Sequence, residues 1–330
     1  MHRRYIKYSR PLVQAGFTLF ALYIGYRFYL FYEWAIGKSN VYSPRPPGVE
    51  AFLPISALLG LKRWFITGHY DMIHPAGLTV LLAIITISFF FRKGFCGWIC
   101  PVGFISNIVE RLGQALGTSL YIKRALGALF SVPKYALMFF FLYVIFYRMD
   151  LRAIERFITS PYNIAVDGKM LKFFLSPSAT TTAVIGGLVV ASLFFKNLWC
   201  RFLCPYGALL GLLAAIGPSR IKRAEDQCIS CKKCSKVCPA GIAVHKKGAV
   251  LDPDCIGCLE CVGACPKDRC LSPAILGHPI QPIYFALMIV AVFIIFWLVA
   301  KGAGYWDTMV PPQVFKRFYM MMDAFSHPAY

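Results

Sequence analysis

The 330-residue chain is 58% hydrophobic and only 15% charged, a composition that excludes an ordinary soluble protein and indicates one built for lipid. It carries 35 Lys and Arg against 15 Asp and Glu, but these charges flank apolar runs, so nucleic acid is not an expected partner. Twelve of its 13 cysteines fall into patterned groups, which indicates metal chemistry rather than a secreted disulfide scaffold, because such scaffolds are short and extracellular.

Five apolar runs predict an α-helical membrane protein with about five transmembrane helices. The runs are Leu12–Trp34, Ala76–Phe91, Tyr135–Tyr147, Ala179–Phe195 and Ile280–Ala300. The first and last reach the roughly 20 residues that cross a bilayer, whereas the middle three must borrow flanking residues or tilt. The first run is too long for a signal-peptide core and has no obvious cleavage site, so we expect it to remain as an anchor.

The charges around these runs predict the topology. With five spans, the side that holds the N-terminus and all the cysteines carries 22 Lys and Arg, and the other side carries 12. Because Lys and Arg are in excess on the cytoplasmic face, we expect a multi-pass protein of the bacterial inner membrane. Its N-terminus and cysteines would face the cytoplasm, and its C-terminus would lie outside. The opposite orientation stays open, because the bias is not absolute.

The chain matches itself at an offset of 104 residues, which predicts an internal two-fold repeat of the second and fourth spans. The matching residues are Cys96, Cys100, Pro101 and Gly103 over Cys200, Cys204, Pro205 and Gly207. In each copy the proline favours a helix that begins there, and a helix N-terminus favours a thiolate. The C-x3-C-P cysteines could bind a further metal centre, form redox-active dithiols or handle an incoming metal ion. They could also be buried structural thiols.

The strongest pattern is a second repeat, at an offset of 27 residues. Two runs of the form C-x2-C-x2-C-x3-C-P begin at Cys228 and Cys255, the spacing of bacterial two-cluster ferredoxins. In these ferredoxins the fourth cysteine of each run serves the other cluster. The expected ligands are Cys228, Cys231, Cys234 and Cys265 for one [4Fe–4S] cluster, and Cys255, Cys258, Cys261 and Cys238 for the other. A pair of zinc sites is the alternative, which the third cysteine and the Cys-Pro of each run disfavour. Cys270 lies outside both runs and is expected to be an ordinary thiol.

These patterns divide the chain into five expected regions. They are an N-terminal anchor helix (1–48), a first membrane repeat (49–118), a second membrane repeat (119–219), a small α+β two-cluster ferredoxin domain (220–275) and a last transmembrane helix with an extracytoplasmic tail (276–330).

The chain resembles the NapH-type polytopic membrane iron–sulfur proteins over roughly residues 45–266. The resemblance rests on Cys96-Gly97-Trp98-Ile99-Cys100-Pro101, on Cys200-Arg201-Phe202-Leu203-Cys204-Pro205 and on the double ferredoxin run. The C-terminal half of the nitrous oxide reductase regulator and the core of the cytochrome oxidase assembly copper reductase look similar. The resemblance implies several spans, a cytoplasmic two-cluster domain and electron transfer linked to the quinone pool. The sequence has no room for the extra domains of the regulator and of the assembly protein. It contains no C-x-x-C-H motif, so covalently attached c-type haem is not expected.

The leading hypothesis is therefore an electron-transfer subunit of a quinol-linked oxidoreductase complex, with quinone, lipid and other redox subunits as its partners. Quinone chemistry also needs groups that exchange protons. The candidates on the side away from the clusters are Glu50, His69, Asp71, His74, Glu155 and Asp167. One alternative is a maturation or regulatory factor that reduces a metal ion or disulfide through its C-x3-C-P thiols. A scaffold subunit that relays electrons while quinone binds elsewhere is another.

Overall fold

The computed structural model describes residues 2–118, 120 and 124–327, which form two compact units. Unit 1 consists of Met1–Leu19, Ile84–Met138 and Ile185–Ile294, and unit 2 of Phe20–Ala83, Phe139–Val184 and Ile295–Tyr330. The end of the expected tail, 328–330, lies outside the described residues, as does the first residue of the expected anchor.

Helices dominate the described chain. The α-helices are His2–Ala35, Pro54–Thr67, Pro75–Phe91, Gly94–Trp98, Pro101–Ala115, Arg124–Phe130, Val132–Tyr143, Leu151–Ile158, Pro161–Ile164, Val166–Leu175, Ala179–Phe194, Pro205–Ile216, Lys233–Lys236, Glu260–Gly263, Pro282–Gly302 and Pro312–Met320. Shorter turns of 3-10 helix are Pro47–Phe52, Val244–Lys246 and Met322–Ala324, and turns of π-helix are Val144–Arg148 and Trp199–Leu203.

Among the described residues, two helical stretches are long and apolar enough to cross a membrane, Leu126–Arg148 and Pro282–Gly302. A third span is possible if Val166–Leu175 and Ala179–Phe194, which are bent by 77°, act as one. The bend falls at Pro177, which removes a helical hydrogen bond and disfavours helix in the residue before it. The predicted number of five spans is therefore not confirmed.

Two of the predicted spans lie in helices that are not both long and apolar enough to cross a membrane, each for a different reason. The run Ala76–Phe91 lies in a helix of 17 residues, about 26 Å long at 1.5 Å per residue, which is less than the hydrocarbon core of a bilayer. The run Leu12–Trp34 lies in the 34-residue helix His2–Ala35, where Gln14, Arg27 and several tyrosines dilute the apolar character.

A four-stranded antiparallel sheet and two one-turn helices carry the ferredoxin-like cysteine runs in unit 1. The strands are β1 Ser219–Arg223, β2 Ala249–Val250, β3 Leu271–Ile275 and β4 His278–Pro279, in the order β2-β1-β3-β4. Ile221 of β1 pairs with Val250 of β2 and with Pro273 of β3, so the short strands flank both cysteine runs. This is the mixture of strands and helices expected for a small α+β domain.

One core joins the cysteine runs to the helices of unit 1. Trp98, Phe285 and Ile289 are almost fully buried and belong to the same apolar cluster as Cys234 and Cys261. Burying a large apolar side chain contributes about 1.5–3 kcal/mol. The cysteine-bearing loops are therefore held by the packing of unit 1 and do not depend on bound metal alone.

Unit 2 has a separate aromatic core. Phe31 packs edge to face against Phe315 and Tyr319, with ring centroids 6.0 and 5.7 Å away. Phe315 and Tyr319 are each 1% exposed, so the helix Pro312–Met320 is an integral part of this unit. The sequence analysis did not predict this helix.

Candidate metal centres

The two ferredoxin-like runs share one backbone conformation. Ser230 and Gly257, which are 27 residues apart, have φ of 54° and 58°, and Lys232 and Leu259 have φ of 59° and 61°. These left-handed residues turn the chain sharply between successive cysteines. A one-turn helix follows in each run, Lys233–Lys236 and Glu260–Gly263. The same tight turn is therefore built twice.

Each turn surrounds a cavity with three cysteines and receives a fourth from the other run. The first ferredoxin cavity is lined by Cys228, Cys231, Cys234 and Cys265. The second ferredoxin cavity is lined by Cys255, Cys258, Cys261 and Cys238. The structure thus brings together the two crossed sets of cysteines that the spacing predicts.

The surroundings of the two cavities differ in charge. The second ferredoxin cavity is walled by aliphatic side chains, including Ile242, Val244 and Val250, with no charged residue among those that line it. Burial raises the pKa of Cys238 to about 11 and that of Cys258 to about 12. The first ferredoxin cavity is lined by the basic residues Arg223, Lys232, His245 and Lys267, and its Cys231 is exposed. One site is therefore apolar and buried, and the other is basic and close to the surface.

Both cavities suit a [4Fe–4S] cluster by the chemistry of their donors. Such clusters are held by four cysteine thiolates, and each cavity is lined by at least four cysteines. Among the described residues, no three His, Cys, Asp or Glu side chains are placed to hold one single metal ion. A cluster distributes its thiolate ligands over several irons.

A fifth cysteine reaches the first ferredoxin cavity. Cys270 is 2% exposed, lines this cavity and donates a weak hydrogen bond from its thiol to the carbonyl oxygen of Ala224, at 3.7 Å. Burial, and after it the neighbouring Cys265, raises the pKa of Cys270 to about 12. Cys270 was predicted to be an ordinary thiol, because the cysteine spacing does not indicate that it lies close to the other four cysteines of this cavity.

The C-x3-C-P cysteines stand at the start of two similar helices. Pro101–Ala115 begins directly after Cys100, and Pro205–Ile216 directly after Cys204, as the prolines predicted. The amide of Cys100 donates to the carbonyl oxygen of Phe95 and that of Cys204 to Trp199, both at 2.9 Å and both across five residues. These wide turns bring the first cysteine of each motif back towards the second.

One cavity lies between the two motifs. The Cys96 cavity is lined by Cys96 from the first motif and Cys200 from the second, together with Lys93, Gly103, Asn107, Asn197, Arg201, Pro239, Ala240, Asp254 and Ile256. Burial raises the pKa of the Cys96 thiol, and the nearby Cys100 and Cys204 raise it further by their charge. The two motifs, about a hundred residues apart in sequence, therefore meet at one place.

Burial opposes the thiolate preference that a helix N-terminus gives these cysteines. Backbone amides of Gly103 and Val102 do lower the pKa of Cys100, as a helix N-terminus should, but burial raises it more. Burial likewise raises the pKa of Cys200 to about 12. Reactive thiols normally sit in partly exposed, electropositive positions with a low pKa. The four C-x3-C-P cysteines are partly exposed and Lys93 and Arg201 line their cavity, so only the raised pKa of Cys100 and Cys200 separates them from reactive thiols.

A buried ion triad lies beside the Cys96 cavity. The Asp254 carboxylate oxygen Oδ1 is 2.7 Å from Lys134 Nζ and 3.5 Å from Lys93 Nζ. The two lysine side chains are 0% and 4% exposed. Two cations therefore face one anion, and Lys93 presents a positive charge to the cavity that Cys96 and Cys200 line.

The Cys96 cavity shares a wall with the second ferredoxin cavity. Pro239, Ala240 and Ile256 line both. The indole nitrogen of Trp98 donates to the carbonyl oxygen of Gly257 at 3.0 Å, and a Cβ placed on Gly97 would stand 2.3 Å from the Ile256 carbonyl oxygen. The first C-x3-C-P motif therefore packs backbone to backbone on the loop of the second ferredoxin cavity.

The proton-exchange candidates separate into two groups in unit 2. Glu50, Asp71 and His74 are buried, and they lie in one network with Asp167. His69 is exposed and lies outside this network. Glu155 is only half-buried and pairs with Arg63 at 2.6 Å.

Two members of the buried network were missed by the sequence analysis. Arg45 joins Glu50 to Asp167, and Tyr319 donates to Asp167 Oδ1 at 2.5 Å. No motif links these residues, which are widely separated along the chain. An arginine set among prolines at Pro44 and Pro46 was the only local signal.

Comparison with known proteins agrees with the cysteine geometry. The family model described as "4Fe-4S binding domain" matches residues 73–119 and again 180–224, and the one described as "4Fe-4S dicluster domain" matches residues 220–266. No solved structure matches the chain significantly.

Curated relatives extend the similarity over most of the chain. YccM of Escherichia coli, provisionally named an electron transport protein, is 36% identical over 305 residues, 90% of this chain and 85% of the relative. Protein NirI of Paracoccus denitrificans is 29% identical over 58% of this chain and 27% of the relative. The ferredoxin-type protein NapH of Haemophilus influenzae is 26% identical over 50% of this chain and 55% of the relative. The chain therefore belongs to the NapH-like membrane ferredoxin-type proteins, an iron–sulfur electron transport family.

Proposed function

We propose that this protein is a membrane electron-transfer subunit that passes electrons between the quinone pool and a redox partner protein. The observation that carries the proposal is the arrangement of cysteine-lined cavities in unit 1. The Cys96 cavity and the second ferredoxin cavity share a wall, and the first ferredoxin cavity opens to the surface at Cys231. Such a series is suited to carrying electrons from a buried position to a docked protein.

The crossed cysteine sets would hold two [4Fe–4S] clusters. One would be held by Cys228, Cys231, Cys234 and Cys265, and the other by Cys255, Cys258, Cys261 and Cys238. Clusters of this kind supply one-electron redox chemistry when bound. The protein's own contribution is to exclude water from the second site with its aliphatic wall and to surround the first with positive charge.

The charge difference favours the first site as the point of exchange with a partner. Cys231 is exposed there, and exposed lysines lie next to it at Lys232, Lys233 and Lys236. An acidic surface on the partner would complement this patch and speed up the encounter. The same positive charges stabilise an added electron at the first site more than the uncharged wall of the second site does.

The Cys96 cavity would hold a further metal centre shared by the two membrane repeats. Each motif contributes one lining cysteine, with Cys100 and Cys204 close by, and the "4Fe-4S binding domain" model matches both segments. Lys93 and Arg201 line the same cavity, and their charges suit an anionic metal–thiolate group.

The positive charge around the cysteines supports a cytoplasmic position for them. We infer a multi-pass protein of the bacterial inner membrane, with the N-terminus and the ferredoxin-like domain in the cytoplasm and the C-terminus outside. About five spans would be reached if the shorter apolar helices Pro75–Phe91 and Ala179–Phe194 cross together with neighbouring segments.

One observation favours the alternative of a factor that reduces a metal ion for another enzyme. A polar cleft of about 190 Å³ is lined by Glu110, Arg111, Gln114, Lys236 and Glu260, and it shares Asn107 and Pro239 with the Cys96 cavity. A small ion could approach the cysteines by this route. An electron conduit has no need of such an opening.

The quinone link can be tested in proteoliposomes. The dithionite-reduced protein is mixed anaerobically with a long-chain quinone confined to the bilayer, and oxidation of the clusters is followed by EPR and absorbance. We expect rapid oxidation in the wild type and a loss of at least tenfold in rate in Cys96→Ser/Cys200→Ser, with the ferredoxin-type signals retained. Equal rates in the two proteins would refute a path through the Cys96 cavity.

A further inference from the structure

A buried acid–base network in unit 2 surrounds the imidazole of His74. His74 and Glu50 are each 1% exposed, and Asp167 is fully buried. Glu50 Oε1 is 2.7 Å from Arg45 Nη1, and Glu50 Oε2 accepts a hydrogen bond from the amide of Gly77 at 3.1 Å. Two protein segments, one with Arg45 and one with Gly77, therefore hold the Glu50 carboxylate in one orientation.

The hydrogen bonds of His74 determine where its protons must lie. Its Nε2 is 2.9 Å from the carbonyl oxygen of Asn163, which can only accept, so Nε2 carries a proton. Its Nδ1 is 3.4 Å from Glu50 Oε1. A neutral imidazole with its proton on Nε2 would point a lone pair at a carboxylate in a site without water contact. That arrangement is repulsive, and one additional proton between Nδ1 and Oε1 removes the repulsion.

The charges around the pair lead to the same conclusion. Arg45 supplies one positive charge and contacts both Glu50 and Asp167, with Arg45 Nη2 2.6 Å from Asp167 Oδ2. When His74 is neutral, Arg45 and the two carboxylates together carry a net charge of −1. One proton bound by His74 or Glu50 brings the net charge of the network to zero. Asp71 adds a further carboxylate next to His74: its Oδ1 accepts a hydrogen bond from the His74 amide, and its buried Oδ2 has no hydrogen-bond partner among the described residues.

We propose that Glu50 and His74 together bind one exchangeable proton, so that unit 2 contains a proton-binding site built around the Nδ1–Oε1 contact. The proton is held as imidazolium and carboxylate or as imidazole and carboxylic acid. Release leaves Glu50 ionised and His74 neutral. A group of this kind is what a reaction that couples electrons to protons requires. The site itself does not depend on the proposed quinone chemistry.

The electrostatics of the site support this assignment. Burial lowers the pKa of His74, but the adjoining Glu50 carboxylate raises it more, and the net shift is upward. Arg45 opposes the proton and Asp167 favours it. The other titratable groups facing the pair are Asp71, Tyr70 and Tyr319. Tyr70 and Tyr319 have a raised pKa because of burial, and both remain neutral.

The wild-type protein provides the first test. Selective ¹⁵N labelling of its 6 histidines, with His74→Gln to assign the signal, reports how many ring nitrogens carry protons, and infrared spectroscopy reports a protonated carboxyl that Glu50→Gln removes. We expect the pair to hold its proton at pH 7.5. A singly protonated His74 ring together with an ionised Glu50 at this pH would overturn the proposal.

A matched pair of variants separates the proton site from general destabilisation. Glu50→Gln preserves an oxygen for Arg45 but removes the charge, and it should weaken proton binding at His74 by at least tenfold. Glu155→Gln removes another carboxylate of unit 2, one that pairs with Arg63, and it should leave the protonation of His74 unchanged. An unchanged His74 signal in folded Glu50→Gln would show that the two residues do not share a proton.

Discussion

Replacing Gly97 with alanine tests the packing of the first C-x3-C-P motif on the second ferredoxin cavity. A Cβ at this position would stand 2.3 Å from the carbonyl oxygen of Ile256, whereas an unstrained contact needs about 3.5 Å. A gap of about 1 Å must therefore open. The obstructing atom belongs to the backbone between Cys255 and Cys258, so no side chain can rotate to relieve the overlap.

The expected cost is that of overpacking, about 1–3 kcal/mol. At about 2 °C per kcal/mol for a chain of this size, Gly97→Ala should lower the midpoint of thermal unfolding by about 2–6 °C. Because the strain falls on a loop that carries two cysteines, the EPR signal of one ferredoxin cluster should broaden or shift while the other is preserved.

Gly187→Ala is the matched control for this experiment. A Cβ on Gly187, in the helix Ala179–Phe194, meets no atom within 4 Å, so this variant should keep both the spectrum and the unfolding midpoint. If Gly97→Ala matched the wild type in both measurements, the close contact between the motif and the ferredoxin loop would be refuted.

Three further predictions concern side chains near the cavities. Asp254→Asn leaves Lys93 and Lys134 without their anion and should cost about 2–3 kcal/mol in chemical denaturation, below the range for a fully buried pair because Asp254 is 23% exposed. Although burial raises the pKa of Asp254, the two lysines hold it below the ordinary value, so this stabilisation should be present at neutral pH and disappear in acid, as the pH falls through that lowered pKa. Burial raises the pKa of Glu110 to about 7, so the folded state binds this proton more tightly than the unfolded one. The free energy of unfolding should therefore decrease as the pH rises from about 4.3 to about 7, and Glu110→Gln should flatten that dependence in unfolding curves. Cys270→Ala should retain the full iron content in anaerobic assays, and a loss of about four irons would instead make Cys270 a ligand.

Local sequence patterns account for the turns around the cysteines and for the helix starts better than for the membrane architecture. The turns at Ser230 and Gly257 follow from a cysteine pattern that is encoded within a dozen residues, and the helix starts at Pro101 and Pro205 follow from proline chemistry. Such features depend on neighbours in sequence, which is why the sequence analysis identified them.

Features that depend on tertiary packing were not predictable in the same way. The raised pKa of Cys100 was not predictable, because burial outweighs the backbone amides and is set by residues far along the chain. The roles of Arg45 and Tyr319 depend on the folding of unit 2, and no local pattern encodes them. The predicted number of spans is not confirmed, because hydropathy alone does not indicate where a helix ends, as the bend near Pro177 shows.

The most direct test of the account is anaerobic iron and sulfide quantitation combined with EPR of the dithionite-reduced protein, comparing the wild type with Cys96→Ser/Cys200→Ser. Two ferredoxin-type clusters and a further iron–sulfur centre in the Cys96 cavity predict about twelve irons in the wild type and about eight in the variant, with the coupled two-cluster signal unchanged. About eight irons in both proteins would contradict the further centre, and fewer than eight in the wild type would contradict the two-cluster assignment.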